Sequence, residues 1–556
     1  MPIITFIPDN RPISVVHGTT ILQASRLAGV VIDAPCNGAG HCGKCAVRIP
    51  PDDLGKLIIH APHHLSVEKE EAGIVLACHA EIHGDLIVSV PQREERDLQI
   101  VTGGVSHTIE RNPFISKRYD PATDETIVLG GSTVLTREPG NSASENFGVV
   151  VDIGTTTLAA GLIDLASGVE IVSRSALNPQ TVYGQDVLSR IRFAADDGGL
   201  ETLRSSLISE INRLIGEAST EAGIGSGSIY EVIFSGNSCM LHLATGVDPA
   251  PLGRLPFNPA IRGGNHLSAS SCGLEIAPHG LVWLPPVISA YVGADITAGI
   301  LAGELHKLSG VTLFIDIGTN GEMILARDGR LSATATAAGP AFEGMNISYG
   351  MRAAAGAIEE VSFSPLSDLS LKTIGGGAAK GICGSGLMDL TAELVRTGVI
   401  GQSGRFTDPS AGNLPDALAS RVQKINGKTL LTLTDVLSFT QTDVRQVQLA
   451  KGAIRAGIDL LLQANSTTAE EIDRVYIAGS FGFHLREESL LTLGLLPAEV
   501  AGKVTFLGNT AKSGGEMMLL NHTLRSELLE LVDSVKVVEL AANPAFDRAF
   551  MEAMKF

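Results

Sequence analysis

Two sets of residues have the types and spacing to do chemistry. The first is cysteine. Four of the seven, Cys36, Cys42, Cys45 and Cys78, fall within the first 78 residues in the spacing Cys-x5-Cys-x2-Cys-x32-Cys. The first residues, MPIITFIPDN, lack the basic stretch and apolar core of a secretory signal. With an odd cysteine count, that argues against a disulfide framework and for metal or redox use of the clustered four. Three thiolates on one loop and a fourth from a distant segment can enclose two irons, so these four are the expected ligands of a [2Fe–2S] cluster. Gly38, Gly40 and Gly43 let the loop wrap closely and aim N–H groups at sulfur. A four-cysteine zinc site is the alternative, but it usually shows two close pairs instead of three plus one. Two apparent phosphate motifs in the same stretch fail. Gly38-x-Gly40-x-x-Gly43 lacks the flanking strand and helix of a dinucleotide site. Gly38 to Lys44 runs into Cys45 where Ser or Thr must hold magnesium.

The second set is a pair of Asp-Ile-Gly-Thr turns. GVVVDIGTTTLAAGLID (148–164) and TLFIDIGTNGEMILARD (312–328) align residue for residue about Asp152 and Asp316. Each reads as an apolar strand, a tight turn and a second apolar strand. Such a turn exposes successive N–H groups as an anion cradle, and Thr155, Thr156, Thr157, Thr319 and Asn320 add side-chain donors. An Asp at the base of each turn can hold hydrated magnesium and orient water toward a phosphate. One such turn is commonplace. Two on equivalent strands, with Ala478-Gly479-Ser480-Phe481-Gly482 after a third strand, point to a nucleotide whose polyphosphate is gripped from both sides.

These residues need frames to hold them. Residues 1–92 read as an α+β unit: two short alternating strands, a helix opening at TTILQASRLAG, the cysteine loop, the strand AVRI and a closing strand DLIVSVP. That is the element order of a β-grasp [2Fe–2S] ferredoxin-like domain. Residues 93–146 carry charge clusters (REERD, RYDPATDET) and a polar end, and read as a linker with at most one hairpin near TIVLGGSTVLT. From 147 to 556 buried strands alternate with Gly-rich turns and amphipathic helices. The internal echo implies a duplicated α/β domain with halves near 147–310 and 311–556. A chain of 556 residues exceeds what one core supports, so a multidomain protein is expected. The net charge of −19 lacks the footprint of a nucleic-acid binder. No apolar run approaches the ~18 residues of a membrane span, and the cytoplasm is the expected location.

The order of phosphate hairpin, second phosphate hairpin and late AGSFG resembles the acetate and sugar kinase, Hsp70 and actin superfamily. Joined to an N-terminal [2Fe–2S] domain, it resembles the ATP-dependent reductive activators of corrinoid proteins. NPQTVYGQDVLSRI (178–191), FSGNSCMLHLATG (234–246), LPPVISAYVGADITAGIL (284–301) and KGICGSGLMDL (380–390) fit the same family. The resemblance implies ATP-driven reduction of inactive Co(II) to methyl-accepting Co(I), a corrinoid-protein partner from a methyltransferase system, an electron donor (a reductase or reduced ferredoxin) and a homodimer. It implies phosphate-binding roles for Asp152, Gly154, Thr155, Thr156, Asp316, Gly318, Thr319 and Asn320. Glu322 becomes a candidate for positioning metal or water. Gly479, Ser480 and Gly482 would face adenosine, and the triplet Gly375 to Gly377 is a further candidate or a plain loop. Some members of the family hold an extra domain between linker and ATPase. The short segment here implies that such a domain is reduced or absent.

Three rivals stand against that reading. A small-molecule kinase with a fused regulatory cluster needs a carboxylate base beside a substrate pocket. An activator of another low-potential enzyme usually holds a [4Fe–4S] cluster with ligands inside the ATPase domain. Cys239, Cys272 and Cys383 have no paired spacing for that and read as buried structural residues. A non-enzymatic electron carrier or ATP-gated binding module would show no turnover.

Overall fold

In the computed structural model the described residues are 1–556 without 9, 33, 35–37, 39, 41, 42, 61–64, 66–68, 70, 71, 92–102, 106, 365, 366, 413, 426, 480–484 and 542. They divide into two units, Met1–Asp97 with Pro179–Phe193, and Leu98–Asn178 with Ala194–Phe556.

The first unit contains β1 (Ile3–Ile7), β2 (Arg11–Ser14), β3 (Ala46–Arg48), β4 (Leu57–Ile59), β5 (Ile74–Leu76), β6 (Ala80–Ile82) and β7 (Leu86–Ser89). Five of them form one sheet in the order β2-β1-β7-β3-β5, with β1 antiparallel to β2 and parallel to β7. Alternation places Ile4, Phe6, Val47, Leu86 and Val88 in the core. The helix Ile21–Leu27 adds Ile21, Leu22 and Ala24 to the same core. Its start is fixed by a capping box: the Thr20 hydroxyl accepts from Gln23 N, and the Gln23 side chain accepts from Thr20 N. This is the expected ferredoxin-like α+β unit. Within Pro179–Phe193, the fully buried Arg190 donates to Gly184 O and Gln180 Oε1.

The second unit begins earlier in sequence than composition suggested. β8 (Ile115–Asp120), β9 (Glu125–Gly130) and β10 (Thr133–Pro139) form a three-stranded antiparallel sheet inside the segment read as a linker. The charges of RYDPATDET mislead because they sit on exposed or half-buried positions and in the turn between β8 and β9. Ile115 and Val128 are fully buried in one core with Val150, Ile233 and Trp283. Asn112 N also donates to Leu520 O, and His522 N to Asn112 O.

Two six-stranded sheets follow. The first orders β13-β12-β11-β14-β16-β15, from β11 (Phe147–Ile153), β12 (Thr157–Asp164), β13 (Val169–Leu177), β14 (Ile229–Gly236), β15 (Asn265–Ser268) and β16 (Leu281–Leu284). The second runs through the strands Val504–Gly508 and Arg474–Ala478, then β17 (Val311–Ile317), β18 (Gly321–Arg327), β19 (Arg330–Thr336) and Lys536–Val537. β11 pairs antiparallel with β12 and parallel with β14; β17 pairs antiparallel with β18 and parallel with Arg474–Ala478. The duplication read from the two Asp-Gly-Thr stretches is therefore a duplication of sheet topology. All eight residues of β14 are buried, as expected for a parallel strand covered on both faces. The helix Thr510–Leu520 packs against the helix Ala294–Ala302 and against β11, so the C-terminal chain closes the first half's core. Among the described residues no helix is long and apolar enough to cross a membrane.

Candidate functional site: a cysteine frame and a carboxylate-lined cleft

In the first unit Cys45 precedes β3 and Cys78 follows β5, two strands paired antiparallel. A bond from Ala77 N to Cys45 O closes that corner. The two Sγ atoms stand 3.3 Å apart, far beyond the ~2 Å of a disulfide and close enough to share one metal ion. Cys45 is 1% exposed and Cys78 half-buried. Gly40 has φ +80°, and a Cβ there would stand 2.5 Å from His79 Nε2. Only glycine lets the loop lie this close to the turn carrying Cys78. This pair of thiols fits part of a [2Fe–2S] site, which Cys45 and Cys78 would help to hold; Cys36 and Cys42 lie outside the described residues.

In the second unit the turns after β11 and β17 meet. Thr156 Oγ1 and Thr319 Oγ1 are 3.5 Å apart and both residues are buried. Around them opens a cleft lined by Asp152, Gly154, Thr155, Thr156, Asp316, Gly318, Thr319, Asn320, Glu322 and Gly479, ten residues singled out from sequence. Ser480 and Gly482 lie outside the described residues. Gly375 to Gly377 form a turn that does not line the cleft. The first turn is pinned by neighbours: Asn178 Nδ2 donates to Gly154 O at 2.8 Å, and Asn237 Nδ2 to Thr155 Oγ1 at 3.0 Å. Gly479, at φ +103°, abuts the second turn. A Cβ there would stand 2.7 Å from both Asp316 Oδ1 and Ile317 O, so no other residue fits.

Sequence reasoning missed Asp295, Asn237, Asn509, Glu343 and Arg352, all lining the cleft. A signal for the two asparagines exists. Phe234-Ser-Gly-Asn-Ser and Phe506-Leu-Gly-Asn-Thr are a second echo, each a strand end followed by an Asn that caps a helix. Asn509 accepts from Lys512 N and donates from Nδ2 to Asp152 Oδ2 at 2.8 Å. Asp295 lies in the first turn of the helix Ala294–Ala302, inside the GADITAGIL stretch.

The electrostatics are unusual. Burial pushes Asp152 up to about 6, opposed by the Asn509 bond and the Lys512 charge. Burial, with added repulsion from Asp152, pushes Asp295 up to about 7. Asp316 rises to about 8 through burial and then the charges of Asp295 and Asp152. Glu322 is raised well above the usual carboxylate range by burial, Asp295 and Asp316. Four carboxylates repel one another in one cleft, and among the described residues lining it Arg352 is the only basic one. An all-oxygen acidic donor set of this kind fits a hydrated divalent cation such as Mg2+.

Residues 5–83 match the family model described as 2Fe-2S iron-sulfur cluster binding domain. Residues 147–308 match the RACo middle region, and 310–556 the C-terminal domain of RACo, the ASKHA domain. A solved structure, a reductive activator for corrinoid,iron-sulfur protein, is 31% identical with a TM-score of 0.73, covering 100% of this chain and 98% of that one. The chain belongs to the family of reductive activators of corrinoid proteins. The corrinoid activation enzyme RamQ of Eubacterium limosum is 28% identical over 94% of both chains. The [Co(II) methylated amine-specific corrinoid protein] reductase of Methanosarcina barkeri is 24% identical over 73% of this chain and 76% of that protein. The activator fold is thus matched nearly end to end. The stretch that matches the RACo middle region, 147–308, holds the first six-stranded sheet.

Proposed function

We propose that this chain is an ATP-dependent reductive activator that returns the Co(II) of a corrinoid protein to Co(I) by one electron. The observation that carries the reading is the meeting of the two Asp-Gly-Thr turns at Thr156 and Thr319, on a chain that also brings Cys45 and Cys78 within 3.3 Å. A [2Fe–2S] cluster held by Cys36, Cys42, Cys45 and Cys78 supplies the electron at about −400 mV, and every ~59 mV uphill costs a tenfold in equilibrium. Backbone N–H groups and hydroxyls at Gly154, Thr155, Thr156, Gly318, Thr319 and Asn320 hold the phosphates from both sides. Asp152, Asp316 and Glu322, with Asp295, hold hydrated Mg2+. Gly479, Ser480 and Gly482 belong to the adenosine side.

ATP need not touch the electron. A nucleotide that binds both turns favours whichever domain arrangement brings them together, and that preference selects a corrinoid-protein state that is easier to reduce. A homodimer, a reductase or reduced ferredoxin as donor, and a cytoplasmic setting complete the proposal. The test is anaerobic absorbance of a Co(II) corrinoid protein mixed with this protein and a reductant, with and without Mg-ATP. Co(I) formed only with ATP is expected. Equal Co(I) in both samples, or none with several corrinoid proteins, overturns the activator reading.

A further inference from the structure

Glu343 is the one cleft carboxylate whose position is set by a phosphate turn. It ends the short turn Pro340–Glu343, which is anchored by the buried Ala341 and Phe342. Two bonds tie this turn to Thr319: Gly339 N donates to Thr319 O at 2.9 Å, and Thr319 Oγ1 donates to Glu343 Oε1 at 2.5 Å. Thr319 is the residue that meets Thr156 across the cleft, so Glu343 stands one hydroxyl away from where the two turns converge. Its second oxygen, Oε2, is buried, and no described residue donates to it. A buried carboxylate oxygen without a donor is costly unless a ligand or water is meant to meet it. Asp152 accepts from Asn509 and Glu322 is bonded by Asn320, whereas among the described bonds only Glu343 accepts from the hydroxyl at which the two turns meet.

We infer that Glu343 is the catalytic residue that orients and deprotonates the water attacking the terminal phosphate of ATP. The inference rests on the nucleotide reading of the cleft. The water oxygen bonds to the γ-phosphorus as the bond from phosphorus to the β,γ-bridging oxygen breaks, and ADP leaves with that oxygen's electron pair. The water's proton passes to Glu343 Oε2 and then to the released phosphate or solvent. Thr319 has the positioning role, because its bond to Oε1 fixes the orientation of the Glu343 carboxylate.

The test is single-turnover hydrolysis of Mg-ATP by the full chain and by Glu343→Gln, whose amide oxygen still accepts from Thr319 but whose nitrogen cannot take a proton. The expected result is hydrolysis slowed about 100-fold or more, half-saturation by ATP within about threefold of wild type, and intact ATP recovered on the variant after gel filtration. Glu343→Asp, which keeps the carboxylate but withdraws it by one methylene, is expected to lose about tenfold. Hydrolysis by both variants within about threefold of wild type overturns the inference, as does weaker ATP binding with an unchanged rate. A wild-type chain that neither binds nor hydrolyses Mg-ATP overturns the nucleotide reading itself, and this inference with it.

Discussion

Two clusters of buried charge lie in the second unit, and burial acts on them in opposite ways. In the first, Glu231 of β14 is fully buried, yet its carboxyl is held below the usual range. Burial alone would raise it, but Arg525 overcomes that with bonds of 2.7 and 2.9 Å from Nη1 and Nη2, and His266 Nε2 lies 2.8 Å from Oε1. The Arg525 guanidinium also lies 5.5 Å from the centre of the Phe114 ring and 5.0 Å from that of Trp283. In the cleft, Glu322 is buried and Asp316 half-buried, but no described Lys or Arg pairs with either, and both are raised. A charge network that is complete within the chain fastens structure. One that lacks its cation is built for a ligand.

The sharpest way to break this contrast is to remove one partner of the complete network. Arg525→Met leaves the buried Glu231 with His266 as its one described partner, and breaking a buried pair from one side costs about 3–5 kcal/mol. A large fall in the thermal midpoint is expected, together with loosening of the contacts that Phe114 makes from the segment before β8. A midpoint unchanged within error would mean that the pair is dispensable and the contrast false.

The same operation in the cleft should do the reverse. Asp316→Asn removes a half-buried carboxyl that no described cation compensates, so the nucleotide-free protein should melt no lower than wild type. Its kcat/KM for ATP should fall by about 10²–10³-fold, the scale seen when one preorganised electrostatic group is lost. Mg-ATP at about 100 times its Kd stabilises a native state by about 2.7 kcal/mol, and this increment should vanish in the variant. Differential scanning fluorimetry with and without Mg-ATP reads both quantities. Destabilisation as deep as that of Arg525→Met would place Asp316 among the structural charges.

Much of this was legible in the sequence because it depends on local spacing. The cysteine ladder, both Asp-Gly-Thr turns and the strand before Gly479 are contiguous motifs, and the structure brings the ten described turn and loop residues into one cleft. What was not legible depends on long-range closure. Asp295 reaches the cleft from a helix start, Asn509 from the other end of the chain, and Glu343 through a turn pinned to Thr319. Nothing in their neighbouring residues marks them, except that FSGNS and FLGNT repeat. The 115–139 sheet was hidden for the opposite reason. Its exposed charges are local and loud, whereas the burial of Ile115 and Val128 depends on strands far along the chain.

Lys451 supplies the smallest test, since it is a buried cation with no carboxylate bonded to it among the described contacts. It is 1% exposed on the helix Gln441–Ala464, donates from Nζ to Lys555 O at 2.5 Å, and lies 5.5 Å from the centre of the Phe556 ring. Burial pushes its pKa down to about 8, with Arg455 acting in the same direction and Asp459 against it. The sign follows from proton counting. Between about 8 and the 10.5 of an ordinary lysine the unfolded chain binds more protons at this site than the folded one, so the group's contribution to stability rises with pH across that window. The slope is at most about 1.4 kcal/mol per pH unit for a single group. Below pH 8 the penalty for holding the charge is present in full. Urea midpoints of wild type and Lys451→Met at several pH values between 7.5 and 10 should therefore converge or cross in favour of the wild type as pH rises, whatever their offset at neutrality. Parallel curves would mean that the Lys555 carbonyl and the Phe556 ring already compensate the charge, which would place Lys451 with Arg525 among the completed networks.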